Sequence, residues 1–433
     1  MKKRLVLAFA AVLAPLLAVC CRGAVVTVDF GSPVGPVKPV NGVGQPPMQG
    51  LPKKGALMHY LKEAGIPYAR LHDVGGLIGG GVYVDIPNVF PNFAADEDDP
   101  ASYDFAFTDA LLRELTANGV EPFYRLGVTI ENFIRAGIPH RRAVPPPDFA
   151  KWARICERVI RHCTEGWANG SRHKITYWEI WNEPDNEIAG KDNPMWNAPF
   201  SEYIRFYGVV APYLKAKFPH LKIGGYGSCG FYAAVNASFV PGANSSPQYQ
   251  HFVTCAKDFL AAARANSWPL DFFSFHSYSN PDEAIRQVKY ADWILNEYGF
   301  TSDRTERIYN EWLPYVAHEN VGSAKQATGN YAPLFNPLTY KPHKAYYAYT
   351  AFNELRKRGK AVKTTADGGR SECASRAAAA FVRASFPSQG SRVMRIAARV
   401  VASALGLLQA ASAQKPCFAQ LCQFRSCPAP ELH

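Results

Sequence analysis

The chain has little that would suit a nucleic-acid-binding protein, because its positive charge lies at the two ends. The formal net charge is +11 over 433 residues. Residues 1–24 carry +4 and residues 366–433 carry +5, which leaves only +2 on the body between them. Nucleic-acid binding requires a basic patch or stripe on the folded domain. The nearly neutral body therefore argues against nucleic acid as a partner.

Cysteine is sparse in the body of the chain. The residues of this type between the two ends are Cys156, Cys163, Cys229 and Cys255. Their spacing matches no zinc-binding pattern, and a core of this size does not need disulfides. The histidines and acids discussed below are expected to form no metal-ligand cluster either. We therefore expect no metal and no cofactor.

The N-terminal apolar run is too short to cross a bilayer comfortably. It covers residues 5–19 and follows Lys2-Lys3-Arg4, which is the pattern of an export signal. Two endings fit it: cleavage near Ala24, and lipid attachment at Cys20, which loosely resembles a bacterial lipobox. We predict that residues 1–24 are a signal peptide. The protein is then exported in a bacterium and is periplasmic, extracellular or lipid-anchored.

Short apolar runs alternate with longer helical patterns along the body. This alternation is typical of a parallel sheet, and six or seven repeats favour closure into a (β/α)₈ TIM barrel of the α/β class. The polar insertion Val74–Pro100 is expected to be a rim loop over the site, too polar for the core. The predicted strands are Val25–Phe30, Val40–Gln45, Tyr68–His72, Val120–Leu126, Ile175–Asn182, Leu221–Tyr226, Leu270–His276 and Arg307–Trp312. The predicted helices are Gly55–Ala64, Tyr103–Asn118, Asp148–Glu165, Phe200–Phe218, Gln248–Asn266, Pro281–Tyr298 and His343–Arg358.

The alternation fails after Trp312. Residues 313–342 contain turn signals but no clear apolar strand, and a helix plus a strand would normally need more chain. We therefore expect a barrel domain at residues 25–365 that is incomplete around its seventh helix and eighth strand. An incomplete barrel should melt broadly, with residues 312–341 lying irregularly in the gap or leaving it open.

The last part of the chain differs in composition from the body. From Ser371 to His433 there is no Asp, Asn, Thr, Tyr or Trp. A frame-shifted or wrongly joined terminus and a basic amphipathic membrane helix both fit this segment. We predict that residues 366–433 form an atypical Ala/Arg/Ser-rich tail that is disordered or frame-shifted.

Two glutamates carry the chemical signal. Glu183 follows the aromatic run that begins at Tyr177, and Glu311 follows Ile308-Tyr309-Asn310. In a parallel barrel all strand C-termini open on one face, where active sites lie. Two carboxyl groups on that face, one of them kept acidic by burial, are the apparatus for cleaving a glycosidic bond.

The surroundings of Glu183 refine this expectation. Trp178 and Trp181 should supply an apolar environment, which raises the pKa of a carboxyl group. Glu179, four residues before Glu183, is expected to point away from the pocket.

The motifs Tyr177–Asn186 and Ile308–Trp312, with Phe275-His276-Ser277-Tyr278 between them, resemble glycoside hydrolase family 39 of clan A. That family includes β-xylosidases and α-L-iduronidases. The resemblance runs from about Asp29 to Thr365. It implies a (β/α)₈ barrel, a retaining mechanism, and an oligosaccharide or glycoside as the substrate.

The resemblance also implies roles for single residues. Glu183 corresponds to the general acid/base and Glu311 to the nucleophile. Asn182 would hydrogen-bond the sugar 2-OH, a contact that tightens in the oxocarbenium-like transition state. Arg70 would hold the nucleophile ionised by its fixed positive charge.

Three further residues belong to the expected site. Tyr278 would donate a hydrogen bond to Glu311, and His276 would face the sugar or its neighbours. His72 would touch the sugar as well, although Asp73 stands where the family more often has Gly.

Three functions remain compatible with the sequence. The first is an exported retaining glycosidase that acts on a plant- or host-derived glycan, such as a β-xyloside or a related uronide. The second is a catalytically impaired barrel remnant that keeps only a sugar-binding groove. The third is an interaction protein that works through its basic tail.

Overall fold

The structure is a computed structural model that describes most residues between 26 and 366. The described residues are 26–36, 39, 41–44, 46–47, 57–72, 84–128, 143–187, 193–236, 246–279, 281–311, 334, 341–342, 344–357 and 360–366. They fall into two compact units, one within residues 39–350 and one formed by residues before 39 and after 350. The predicted signal peptide and, apart from Ala366, the predicted tail lie outside the described residues. Both therefore stay predictions.

The smaller unit contains a two-stranded antiparallel sheet. Strand β1 (Val26–Pro36) pairs with β8 (Lys360–Ala366), with register irregularities between Asp29 and Gly35. The sequence predicts only the first half of β1, because its second half contains prolines that usually interrupt a strand. It does not predict β8, whose partner lies more than 300 residues earlier in the chain.

The larger unit is built on a parallel sheet whose strands follow the order of the chain. Beside the first strand of this sheet, Val43 forms an isolated parallel bridge to Ala69, and Val43 belongs to the predicted strand Val40–Gln45. The six strands of the sheet are β2 (Tyr68–Leu71), β3 (Glu121–Leu126), β4 (Tyr177–Ile180), β5 (Lys222–Ser228), β6 (Phe272–His276) and β7 (Glu306–Glu311).

Helices follow the strands, and several begin at a side-chain cap. The side chain of Asp148 accepts a hydrogen bond from Lys151 N at 2.9 Å, and that of Ser246 accepts one from Tyr249 N. Buried apolar side chains of the helices and strands form one core cluster. The helices are α1 (Met58–Glu63), α2 (Ile86–Val89), α3 (Ala106–Ala117), α4 (Phe149–Thr164), α5 (Phe200–Lys217), α6 (Tyr232–Asn236), α7 (Pro247–Ala265), α8 (Pro281–Glu297) and α9 (Lys344–Lys357).

The parallel sheet is curled like the wall of a barrel. The rings of Phe123 on β3 and Phe272 on β6 have their centroids 5.3 Å apart. Three strand spacings in a flat sheet would separate these strands by roughly 14 Å. Only a curled sheet lets the two inward-facing rings meet, and the predicted TIM-barrel class is therefore confirmed.

The two sides of the predicted gap in the barrel lie close together at one point. A Cβ atom added to Gly44 would stand 3.1 Å from the carbonyl oxygen of Asn310 on β7. Among the described residues no strand follows β7 in this sheet. The predicted filler segment, residues 312–341, lies outside the described residues except for Leu334 and Lys341.

The second half of the predicted rim loop belongs to the core. Val84, Ile86 and Val89 are buried, and the last two lie on α2. The expectation that Val74–Pro100 is too polar for the core is therefore wrong for this part. Ile86 and Val89 are spaced as on one face of a helix, a short signal that the polar surroundings conceal.

Candidate active site

Glu183 lies in the turn that follows β4, on a backbone that few side chains adopt. Trp181 has φ of 72° and Glu183 has φ of 44°, both in the left-handed region. The amide of Glu183 donates to the carbonyl of Gly227 at 3.0 Å. Strain of this kind persists where the surrounding structure holds it, and it clusters at functional sites.

Two side chains contact the Glu183 carboxylate. His276 Nδ1 lies 2.7 Å from Oε1, and Asn186 Nδ2 donates to Oε2 at 2.9 Å. The Glu183 side chain is 15% exposed, so it is shielded but reachable from the barrel mouth.

Glu311 ends β7 and is surrounded by cationic and hydrogen-bonding groups. Arg70 Nη1 lies 2.6 Å from its Oε1, and His72 Nε2 lies 3.4 Å from the same oxygen. The hydroxyl of Tyr278 donates to Oε2, and His276 Nδ1 lies 3.4 Å from it. Burial alone would raise the pKa of Glu311, but His276, His72 and Arg70 outweigh it and hold the pKa well below its usual range. Glu311 is therefore an ionised carboxylate at neutral pH.

His276 lies between the two glutamates and is fully buried. Burial would lower its pKa, but the charges of Glu311 and Glu183 outweigh burial and raise it. The imidazole thus links the carboxylates. His72, by contrast, has a pKa lowered well below its usual value, because burial dominates there.

Folding also brings three potential metal ligands together. One ligand atom each from Glu183, His276 and Glu311 lie within 4.8 Å of one another. The argument that the nearby histidines and acids form no ligand cluster is therefore wrong, since the curled sheet gathers strand ends that are distant in sequence. The expectation that no metal binds stays a prediction.

Arg70, on β2, connects the site to the barrel interior. Besides Glu311, its guanidinium contacts Glu179 through Nε at 2.7 Å and Asn182 Oδ1 through Nη2 at 2.5 Å. Burial would lower the pKa of Arg70, but the charges of Glu179 and Glu311 raise it, so the guanidinium stays charged.

Glu179 faces the barrel interior, and the prediction that it points away is wrong. Its side chain is fully buried and forms an ion pair with Arg70. Side chains alternate along a strand, so Glu179 shares the inward face of β4 with Tyr177, whose ring meets Phe272 on β6. The sequence shows that Tyr177 and Glu179 lie on the same face of β4, but not that this face points inward.

Trp178 and Trp181 do not surround the Glu183 carboxyl group as expected. The ring of Trp178 stacks on Tyr124, and that of Trp181 contacts Trp152 on α4. Both tryptophans are buried between the sheet and the helices. The immediate surroundings of the Glu183 carboxylate are polar instead, and they come from His276 and Asn186.

Asp185 is a site residue that the sequence did not single out. Its fully buried carboxylate accepts hydrogen bonds from Ser228 Oγ at 2.9 Å and from Cys229 N at 3.2 Å. Burial raises its pKa to about 6, and the charge of Glu183 adds to the shift. Asp185 thereby fastens the turn that carries Glu183 to the end of β5. In the sequence, its position two residues after Glu183 is the feature that could have indicated a place in the site.

Comparison with known proteins agrees with this geometry. The model of glycosyl hydrolases family 39 matches residues 56–346. A β-xylosidase from Geobacillus stearothermophilus is 25% identical over 209 residues, which are 47% of this chain and 36% of that protein. The match therefore spans little more than a third of the length of that relative. A solved glucosidase structure from Croceicoccus marinus has a TM-score of 0.56 at 20% identity, covering 79% of this chain and 73% of that one. At that identity the likeness shows the fold alone.

Proposed function

The chain belongs to glycosyl hydrolases family 39, and from this premise we propose that it hydrolyses O-glycosidic bonds with retention of configuration. One observation carries the proposal: oxygens of Glu183 and Glu311 lie within 4.8 Å of each other at one mouth of the curled sheet. Retaining enzymes hold their carboxyl groups about 5–5.5 Å apart, whereas inverting enzymes need a wider gap for a water molecule. The short separation supports the retaining mechanism.

In the first step Glu311 attacks the anomeric carbon and forms an ester bond to it. The bond to the leaving oxygen breaks, and that oxygen takes a proton from Glu183. The assignment of nucleophile follows from charge, because Arg70 and Tyr278 both stabilise Glu311 as a carboxylate. Among the described residues no Lys or Arg forms an ion pair with Glu183, whose carboxylate contacts His276 and Asn186, and we therefore assign Glu183 as the proton donor.

In the second step a water molecule attacks the same carbon from the side of Glu183. Glu183 takes the water proton, and Glu311 leaves as a carboxylate. His276 contacts both carboxylates, so its imidazole can stabilise whichever of the two carries the negative charge in each step. Asn182 uses Oδ1 to hold Arg70, which leaves its amide nitrogen to donate toward the sugar 2-OH.

The stereochemistry of the product tests the mechanism. An aryl β-xyloside is hydrolysed and the first anomer formed is identified by proton NMR before mutarotation. The β-anomer is expected. The α-anomer would show inversion, and binding without hydrolysis of any aryl glycoside would favour the impaired-remnant alternative.

The proposed substrate is a β-xyloside or a related glycoside of a plant- or host-derived glycan. The support is the similarity to a protein described as a β-xylosidase, together with family membership. A panel of nitrophenyl β-xyloside, β-glucoside, α-arabinofuranoside and α-iduronide tests the class. We expect the highest kcat/KM for the xyloside. A clear preference for another glycoside would contradict the proposed substrate and identify that glycoside class instead.

We also propose that the protein is exported, on the basis of residues 1–24. Mass spectrometry of the mature N-terminus separates the two predicted endings. A chain starting after Ala24 indicates a secreted form, and a diacylglyceryl-modified Cys20 indicates lipid anchoring. A full-length cytoplasmic chain would contradict export.

A further inference from the structure

Glu179 is a second carboxylate on the guanidinium that holds Glu311. Its Oε2 lies 2.7 Å from Arg70 Nε. Its Oε1 accepts hydrogen bonds from Ser274 Oγ at 2.6 Å and Asn310 Nδ2 at 2.8 Å. The side chain is fully buried. These three contacts hold the Glu179 carboxylate in a fixed position beside the guanidinium of Arg70.

One buried cation therefore contacts two carboxylates, the fully buried Glu179 and Glu311, whose side chain is 13% exposed. Arg70 contacts Glu179 through Nε and Glu311 through Nη1. Arg70 already supplies a full counter-charge for Glu311, and His276 and His72 lower the pKa of Glu311 as well. Glu179 adds a negative charge where a simple ion pair would already be neutral. This surplus needs a reason, because burying an extra carboxylate is costly.

The reaction proposed above supplies the reason. When Glu311 bonds to the anomeric carbon, its carboxylate becomes a neutral ester. If Arg70 had no other counter-ion, it would then be a buried cation without a partner, which is strongly unfavourable. With Glu179 present, the Arg70–Glu179 pair stays neutral throughout the lifetime of the intermediate.

We infer that Glu179 is a positioning residue that keeps Arg70 neutralised while Glu311 is esterified. The inference rests on the proposed retaining mechanism. Glu179 touches neither substrate nor reacting atoms in this role and acts only through Arg70. Its presence favours formation of the intermediate and opposes release of Glu311 as a carboxylate.

The consequence is an opposite effect of Glu179 on the two half-reactions. Without its charge, Arg70 binds Glu311 more tightly before attack, and the transition state that neutralises Glu311 becomes less favourable. The second step regenerates the Glu311 carboxylate and is helped by an unpaired Arg70. A purely structural role of Glu179 would slow both steps together.

A fluorosugar that separates the steps provides the test. The dinitrophenyl glycoside of 2-deoxy-2-fluoroxylose labels a retaining enzyme at the nucleophile, and the labelled enzyme then reactivates slowly. For Glu179→Gln we expect labelling to slow by about 100-fold, the scale of lost electrostatic stabilisation in enzymes. Reactivation should be unchanged or faster. Equal slowing of both steps, or unchanged labelling, would overturn the inference.

Two further variants keep the test independent of folding defects. Glu179→Asp retains the charge, and its labelling rate should lie closer to wild type than that of Glu179→Gln. Ser274→Ala keeps the charge of Glu179 but removes a donor to it and an acceptor for Gly227 N. It serves as the structural control, and labelling and reactivation should slow by similar factors in this variant. Slowing of labelling alone in Ser274→Ala would contradict a role that depends on the charge of Glu179. A wild-type enzyme that hydrolyses the aryl xyloside but is not labelled by the fluorosugar would refute the retaining mechanism itself, which distinguishes that failure from a wrong role for Glu179.

Discussion

Arg70 and Glu311 join the two outermost strands of the parallel sheet through an Nη1–Oε1 contact of 2.6 Å. Arg70 lies on β2 and Glu311 on β7, and the two residues are 241 positions apart in the chain. Five strand spacings would separate these strands by roughly 24 Å in a flat sheet. The ion pair can form only because the sheet curls, so the same contact depends on the fold and keeps Glu311 ionised.

Removing the guanidinium should destabilise the protein strongly. Arg70→Met leaves Glu179 as a buried, unpaired carboxylate, and breaking a buried pair in this way costs about 3–5 kcal/mol. Urea unfolding followed by circular dichroism measures the loss. Arg158→Met removes the more exposed pair with Asp98 and serves as the control, with an expected cost of at most about 1 kcal/mol. Similar losses in the two variants would contradict the buried role of Arg70.

Truncation of the two glutamates should have different kinetic consequences. Glu311→Ala should abolish turnover of every substrate, because no other group forms the glycosyl-enzyme bond. Glu183→Ala should lower kcat/KM by about 10²–10⁴-fold for alkyl glycosides, which need a protonated leaving group, and far less for a dinitrophenyl glycoside. Equal losses for both leaving groups would assign the acid to another residue.

The hydroxyl of Tyr278 should support the nucleophile. A hydrogen bond to a charged group contributes about 1.5–3 kcal/mol, so Tyr278→Phe should lower kcat/KM by roughly 10–100-fold. The pKa of Glu311 is lowered partly by this hydroxyl, so the acid limb of the pH–activity profile should move to higher pH. Tyr278 is 40% exposed, and the change should cost little stability.

A neighbouring tyrosine provides the matched control for this prediction. The Tyr309 hydroxyl donates to the carbonyl of Ser277 rather than to a carboxylate. Tyr309→Phe should therefore leave the acid limb in place. A shift of the same size in both variants would remove the argument for a specific contact.

Asp185 should make stability depend on pH. Its pKa in the folded protein is raised from 3.8 to about 6. A raised pKa means that the folded state binds the proton more tightly, so this contribution to stability is complete below pH 3.8 and is lost as pH rises through 6. A shift of about two units corresponds to about 3 kcal/mol. Asp185→Asn should thus become more stable relative to wild type, by that order, between pH 4 and pH 7.

Urea titrations of both proteins at several pH values measure this difference. Asp98→Asn, at a position with a 66% exposed side chain, controls for the loss of one negative charge. If the two variants show the same dependence on pH, the burial of Asp185 is not the cause.

Local sequence patterns were sufficient for the six strands of the parallel sheet, for the longer helices and for the two glutamates. Glu183 and Glu311 stand at strand C-termini because apolar runs precede them, and the periodicity of such runs depends only on neighbouring residues. The same patterns fixed the α/β class and the position of Arg70 on β2. These features need no knowledge of distant contacts.

Only the tertiary structure decided what surrounds the glutamates. The inward orientation of Glu179, the placement of His276 between two carboxylates and the clamp formed by Asp185 each join strands or turns far apart in the chain. Their geometry depends on how far the sheet curls and on the register of strands that meet only on closure. Single-strand patterns carry no information on curvature or on such register, and this is the physical reason why the sequence indicated Glu183 and Glu311 but not the parts that Glu179 and Asp185 play beside them.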